Sequence, residues 1–338
     1  MSNEKVSFKI AEIIKSYRDG EFGVYDCDHV KRWISQFQVD ERSVVLIETY
    51  KILERNYFTK KNFLEFIDTI IKSQGIKNEI GESYWRKVSL LNIQKNGKSQ
   101  TELNEIFGRK LFNLYKISNF SKELSSEYIY LDDFIFSGGR LFADMSEWIS
   151  KKAPNKCNIC IITIGVFTSS IWQIDIKLKD LVKKLGKNIN FTFKCFGTFR
   201  LKNKLVEKDH SEVFWPTESI TQLDGYPQFL IKERFSPEYR NKNNDENRIF
   251  SITNREEYEK IIFKYGLKIM SFSSKNSSVV KPLGYSTYRG FGFGSTIFSF
   301  RNCPNNNPLV FWWGNPTAKS SHPFSKWYPL FQRKTYDT

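Results

Sequence analysis

An α/β fold carrying a mainly parallel sheet is predicted by two observations. Between residues 81 and 236, apolar runs of strand length alternate with stretches of helical periodicity. The run from Tyr128 to Leu131 is apolar throughout, as a strand buried on both faces requires. A helical region over residues 1–80 precedes this core. A C-terminal region rich in Gly and aromatic residues, 237–338, is expected to pack on it.

Apolar stripes over residues 10–17, 30–37, 44–53 and 63–71 predict a small N-terminal helical bundle. His29, beside Asp28, opens the second of these and reads as a structural helix-end residue. The core starts with a strand over 88–94, followed by a polar loop over 95–100 and a helix from about Thr101. Tyr128, Ile129, Tyr130 and Leu131 predict the next strand, with Asp132 and Asp133 at its end. Leu141, Phe142, Met145, Trp148 and Ile149 then recur at helical spacing. Strands over 158–167 and 189–196 flank a helix marked by Ile176, Leu178, Leu181, Val182 and Leu185, so residues 128–197 read as a βαβαβ unit of a doubly wound sheet. A polar stretch over 237–248 predicts an exposed loop, and Tyr258, Ile261, Ile262, Tyr265 and Leu267 a last helix. Glycine alternating with aromatics over 284–295 predicts a hairpin or loop.

The chemistry concentrates where the second core strand ends. Ligands of open parallel sheets bind beyond the carboxyl ends of the strands. Adjacent carboxylates there repel one another unless cations or hydroxyl donors compensate them, which suits a ribose diol with Mg2+ nearby. Ser137, Gly138, Gly139 and Arg140 follow and enter a helix, whose N-terminal amides and positive dipole end favour a phosphate. The same residues also make an Asp-rich turn capping an ordinary helix. Lys95, Gly97, Lys98 and Ser99 form a second candidate anion loop for a pyrophosphate, although Asn-Gly turns and solvated lysines are common for other reasons.

The order of strand, acidic pair, spacer and Ser-Gly-Gly resembles the ribose-phosphate motif of type I phosphoribosyltransferases, whose core is Rossmann-like. The resemblance implies that Asp132 and Asp133 are catalytic and hold the ribose 2- and 3-hydroxyls of phosphoribosyl pyrophosphate. Ser137, Gly138, Gly139 and Arg140 would surround the 5-phosphate, and Lys95, Gly97, Lys98 and Ser99 the pyrophosphate, with Mg2+ carried by the ligand near Asp132 or Asp133. Arg140 replaces a small hydroxyl residue of that motif, and either strengthens phosphate binding or fills the pocket. The interval before the acidic strand is too short for the long lid such enzymes insert.

Over nearly the whole chain, four features together resemble phosphoribosyltransferase-like proteins of bacterial conflict systems. These are His-Val-x-x-Trp-x-x-Gln-Phe from His29, Ile-Gln-x-x-Gly-x-Ser-Gln from Ile93, the Asp-Asp/Ser-Gly-Gly loop, and Asn-Cys-Pro-Asn-Asn from Asn302. That resemblance implies an antiphage role beside other defence-operon proteins, or with a retron reverse transcriptase and its RNA-DNA product. Two activities are then in view: a phosphoribosyltransferase, or a nucleotide-sensing or nucleic-acid-binding subunit that keeps the pocket without turnover.

Charge agrees with anionic partners without choosing among them: 52 Lys and Arg oppose 37 Asp and Glu, a formal net of +15. The 30 Phe and 8 Trp give aromatic surface beyond what a core requires, available for stacking on bases. No apolar run reaches membrane-spanning length and no signal peptide opens the sequence, so a cytoplasmic protein without membrane contact is expected. Five scattered cysteines predict no disulfide framework, and Cys157 and Cys160, three apart on a strand, read as buried hydrophobes. Gly-x-Ser-x-Gly, His-Glu-x-x-His and Walker patterns are absent, which removes the common hydrolase, zincin and P-loop chemistries.

Overall fold

A computed structural model describes residues 2–73, 82–95, 99–118, 125–202, 211–233, 236–241, 249–251, 253–273 and 276–333. The chain forms two compact units: Met1–Lys60 together with Asn203–Thr338, and Lys61–Lys202. These bounds cut across the divisions at 80 and 236 drawn from sequence.

In the first unit, α1 (Asn3–Ile14), α2 (Cys27–Ile34) and α3 (Arg42–Asn56) pack through Ile10, Ile14, Val30, Trp33, Val45 and Ile52, all buried. Asp26 caps α2 by accepting from the His29 amide at 2.9 Å. A short strand, β1 (Tyr57–Phe58), closes this segment.

The second unit carries the α/β core. Its elements are α4 (Lys60–Lys72), α5 (Glu82–Trp85), β2 (Val88–Leu90), α6 (Ser99–Tyr115), β3 (Glu127–Ile135), α7 (Gly139–Lys151), β4 (Lys156–Phe167), α8 (Thr168–Lys184) and β5 (Asn188–Leu201). α4 joins this unit because the Trp85 indole donates to the Ile71 carbonyl at 3.2 Å and Lys110 pairs with Asp68 at 2.8 Å. The four strands lie in the order β2-β3-β4-β5, all parallel, so the strand order shows no reversal among the described residues. Both faces of the middle strands are nevertheless buried. Tyr128, Tyr130, Cys157, Ile159 and Ile161 face α7 and α8 in one cluster with Met145, Ile149, Leu178 and Val182. The alternate residues Ile129, Leu131, Cys160 and Ile162 are buried outside that cluster, as period-two side chains must be. Cys157 and Cys160 thus serve as small core residues on opposite faces, and burial pushes their thiols up to about 11 and about 12.

The strands differ in length from the sequence reading. β2 stops at Leu90 instead of running to 94, because Gln94 and the residues beside it are held by a side chain of α6. β3 continues through the acidic pair to Ile135, with Asp132 opposite Thr163 and Phe134 opposite Gly165. Phe134 and Ile135, both buried, supply the apolar surface that carries the strand past the two carboxylates.

The C-terminal segment of the first unit contains α9 (Tyr226–Glu233), α10 (Arg255–Ser271), β6 (Phe298–Ser299) and α11 (Leu309–Trp312). β6 pairs parallel with β1. The Gly-aromatic stretch is loop: Gly292, at φ 130°, sits so close to Leu283 that a Cβ would fall 2.5 Å from its carbonyl carbon. Glu259, fully buried on α10, accepts from Arg240 at 2.8 Å, Arg255 at 3.1 Å and the Trp215 amide at 3.0 Å, a satisfied charge network that fixes this unit internally.

Candidate functional site

The site is assembled at the carboxyl end of the sheet, where β3 turns into α7. Phe136, Ser137 and Gly138 form the turn, and Gly138 takes φ 74° at the cap of α7. A Cβ there would lie 2.1 Å from Cδ1 of the buried Ile174, so the left-handed turn and the close approach of α8 both require glycine. Gly138 itself has no side chain with which to cap the helix. Ser137 Oγ lies 3.4 Å from the Gly139 amide, and Ser170 of α8 donates to the Phe136 carbonyl, pinning the turn from behind.

The two carboxylates differ in environment. Asp132 is 3% exposed and accepts from the Asp133 amide at 2.9 Å, from Arg140 Nη2 at 3.2 and 3.3 Å and, at 3.5 Å, from the Tyr130 hydroxyl. Burial pushes its carboxyl up to about 7, with the Arg140 guanidinium pulling the other way and Asp133 adding repulsion. Asp133 is half-buried and accepts from the Phe134 amide at 2.9 Å. It is the more open of the two. The Thr163 hydroxyl lies 2.8 Å from the Asp133 carbonyl oxygen and 2.9 Å from that of Gly165, donating between them where the β4–β5 register shifts.

Lys95 reaches the same end of the sheet. Its amide donates to Asp144 on α7 at 3.5 Å, and its ammonium pairs with Glu147. Gly97 and Lys98 lie outside the described residues, as does the Ser99 side chain. The structure therefore brings Lys95, Asp132, Asp133, Ser137, Gly138, Gly139 and Arg140 to one end of one sheet. Arg140 is turned toward Asp132, with half of its side chain still exposed.

Among the described residues, no group of three or more His, Cys, Asp or Glu side chains converges to hold a metal ion.

The sequence pattern of one family spans residues 30–333, most of the chain. The chain belongs to the PRTase-CE family. No curated protein and no solved structure matches it. The PRTase-CE chain is thus phosphoribosyltransferase-like, with the mainly parallel α/β core expected of such a protein.

Sequence reasoning missed Asp144 and Thr163 at this end of the sheet, and gave Gln100 no role beyond closing the pattern that starts at Ile93. Gln100, 1% exposed, accepts from the Ile93 and Gln94 amides at 2.8 and 3.0 Å and donates to the Leu131 carbonyl at 3.2 Å, tying the first loop to the strand one residue before Asp132. Its amide in turn donates to the Gln94 side chain at 3.1 Å. Asp144, 5% exposed, holds the start of the Lys95 loop and is raised by burial. Thr163 was hidden in an apolar strand. The one available signal was a polar residue inside each apolar stripe: Asp144 between Leu141 and Met145, and Thr163 among isoleucines.

No helix among the described residues is long and apolar enough to cross a membrane. His29, partly buried in the first unit, donates from Nε2 to the Leu330 carbonyl and meets the Tyr328 hydroxyl at Nδ1, both at 2.8 Å, and burial lowers its imidazole, which favours the neutral form. Its role there is structural.

Proposed function

We propose that this protein binds a phosphorylated ribose, phosphoribosyl pyrophosphate or a nucleotide, at the β3–α7 turn. The observation that carries the reading is a half-open carboxylate, Asp133, near the end of β3, followed five residues later by the left-handed Gly138 turn that opens α7. One feature offers an acceptor for ribose hydroxyls; the other offers amides and a dipole for the 5-phosphate. Arg140 is within reach of both, and a phosphate would compete with Asp132 for its guanidinium. Mg2+ would arrive on the ligand and neutralise pyrophosphate charge. In transfer, the ribose C1–pyrophosphate bond breaks with its electron pair leaving on pyrophosphate while the acceptor's lone pair forms the new bond; Asp132 and Asp133 hold the ring as positive charge develops on it.

A second reading keeps the pocket and drops turnover: a nucleotide-sensing or nucleic-acid-binding subunit. The Asp132–Arg140 ion pair favours it, since it occupies one of the two carboxylates, and only residues 116–126 separate α6 from β3, which limits any lid inserted there. For either activity the resemblance to conflict-system proteins supports an antiphage defence role, with other defence proteins, nucleic acid or a retron reverse transcriptase as partner. Calorimetric titration with phosphoribosyl pyrophosphate and Mg2+, followed by a pyrophosphate-release assay with nucleobases, separates the readings: release supports the transferase, and binding without release supports the sensor.

A further inference from the structure

The first unit carries a cleft of about 630 Å³ that the ribose-phosphate reading does not use. Its walls come from Tyr25, His29 and Arg32 near the N-terminus, and from Asn315, Tyr328 and Arg333 near the C-terminus. This volume falls within the roughly 300–1,000 Å³ of small-molecule sites and exceeds what a bare phosphate fills.

Two guanidinium groups face the cleft, and each is backed by an aromatic ring. Arg32 lies 4.1 Å from the Tyr328 ring centre, and that ring is itself held by the hydrogen bond from its hydroxyl to His29. Arg333 lies 5.1 Å from the Trp312 ring centre; its Nη1 is closed to solvent and meets no acceptor among the described residues. The acid on the rim, Glu21, is already engaged by Arg18 at 2.7 Å, so it does not neutralise these two cations. Tyr25, 3% exposed, has its hydroxyl beside the Gln332 backbone and finds no acceptor for its own proton among the described residues. Those two atoms have no open surface and stand behind the cleft wall, so what a ligand meets there is the Arg32 side chain and the rest of the Arg333 side chain that line it. Planar guanidinium forks suit phosphate or carboxylate oxygens in a two-point grip, and the aromatic walls suit a flat ring attached to them.

We infer that this cleft is a second ligand site, which takes a nucleotide with its phosphate between Arg32 and Arg333. It lies in a different unit from the β3–α7 turn and shares no residue with it.

The test is calorimetric titration of the full chain with AMP, and separately with inorganic phosphate, in wild type, Arg32→Gln and Asp133→Asn. Arg32 is exposed, so its substitution should leave the fold intact, which circular dichroism checks. The expected result is AMP binding that persists at one site in Asp133→Asn and weakens at least about tenfold in Arg32→Gln. Inorganic phosphate should bind far more weakly than AMP. Arg32→Gln binding AMP as wild type does, or Asp133→Asn abolishing all AMP binding, would overturn the inference; the second result would leave the ribose-phosphate reading standing. Phosphate binding as tightly as AMP would overturn the nucleotide class.

Discussion

Arg140 and Asp132 form an ion pair, Nη2 to Oδ2 at 3.2 Å, which joins the first turn of α7 to a carboxylate buried inside β3. Its two ends are unequal: Asp132 is closed to solvent, while half of the Arg140 side chain is open. The buried partner therefore determines what the pair costs, and the open partner is the one that a ligand can recruit.

The pair has a pH signature. Asp132 is raised by burial from 3.8 to about 7, so the folded state holds this proton more tightly than the unfolded chain. Its contribution to stability is whole below about pH 4, is lost as pH rises through about 7, and amounts to a few kcal/mol at most. Asp132→Asn remains neutral throughout. Thermal melts between about pH 5 and pH 8 should show the variant gaining on wild type as pH rises; a constant difference would mean that Asp132 is already ionised at the low end.

Gly138→Ala should destabilise the protein by about 1–3 kcal/mol, from the left-handed backbone and from the Cβ that would meet Ile174 at 2.1 Å. Combining it with Ile174→Ala separates the two causes. If the clash matters, the double variant loses less than the sum of the single losses, read from urea unfolding; strict additivity would assign the whole effect to backbone strain.

Gln100→Ala removes the side chain that joins the Ile93 and Gln94 amides to the Leu131 carbonyl. Leaving the buried Leu131 carbonyl and the part-buried Ile93 and Gln94 amides unpaired should cost about 1–3 kcal/mol. Ligand affinity should fall as well, because the Lys95 loop loses its tie to β3. Unchanged stability would mean that water replaces Gln100 without penalty.

Thr163→Val keeps the side-chain shape and removes the hydroxyl shared by the Asp133 and Gly165 carbonyls. A loss of about 1–2 kcal/mol is expected in unfolding experiments, with weaker ligand binding through a displaced Asp133 backbone. A variant as stable as wild type would show that the main chain there needs no such support.

These residues also mark where the sequence was legible. The βαβαβ order over 128–197 could be read because apolar periodicity is a local property, and α7, β4 and β5 all lie where Met145, Ile161 and Ile189 predicted them. The acidic pair was expected at a strand end, yet β3 runs on to Ile135, because the paired neighbour β4 and the buried Phe134 outweigh the low strand propensity of Asp. Arg140 could be placed beside the site by its position in the motif; its turn toward Asp132 could not, since side-chain pairing depends on the φ of Gly138 and on how deeply Asp132 is buried. Gln100 closes the pattern that starts at Ile93 and Thr163 interrupts a run of isoleucines, but both act on main-chain groups elsewhere in the chain, which residue types alone do not specify.

The most direct test of the central claim is calorimetric titration of phosphoribosyl pyrophosphate with Mg2+ into wild type and Asp133→Asn, both shown folded by circular dichroism. Asp133 is half-buried, so the change to Asn should leave the fold intact while removing the open carboxylate. Ribose-phosphate binding at the β3–α7 turn predicts that wild type binds and that the variant loses at least about tenfold in affinity. Equal affinity in the two proteins, or no binding by either, would contradict it.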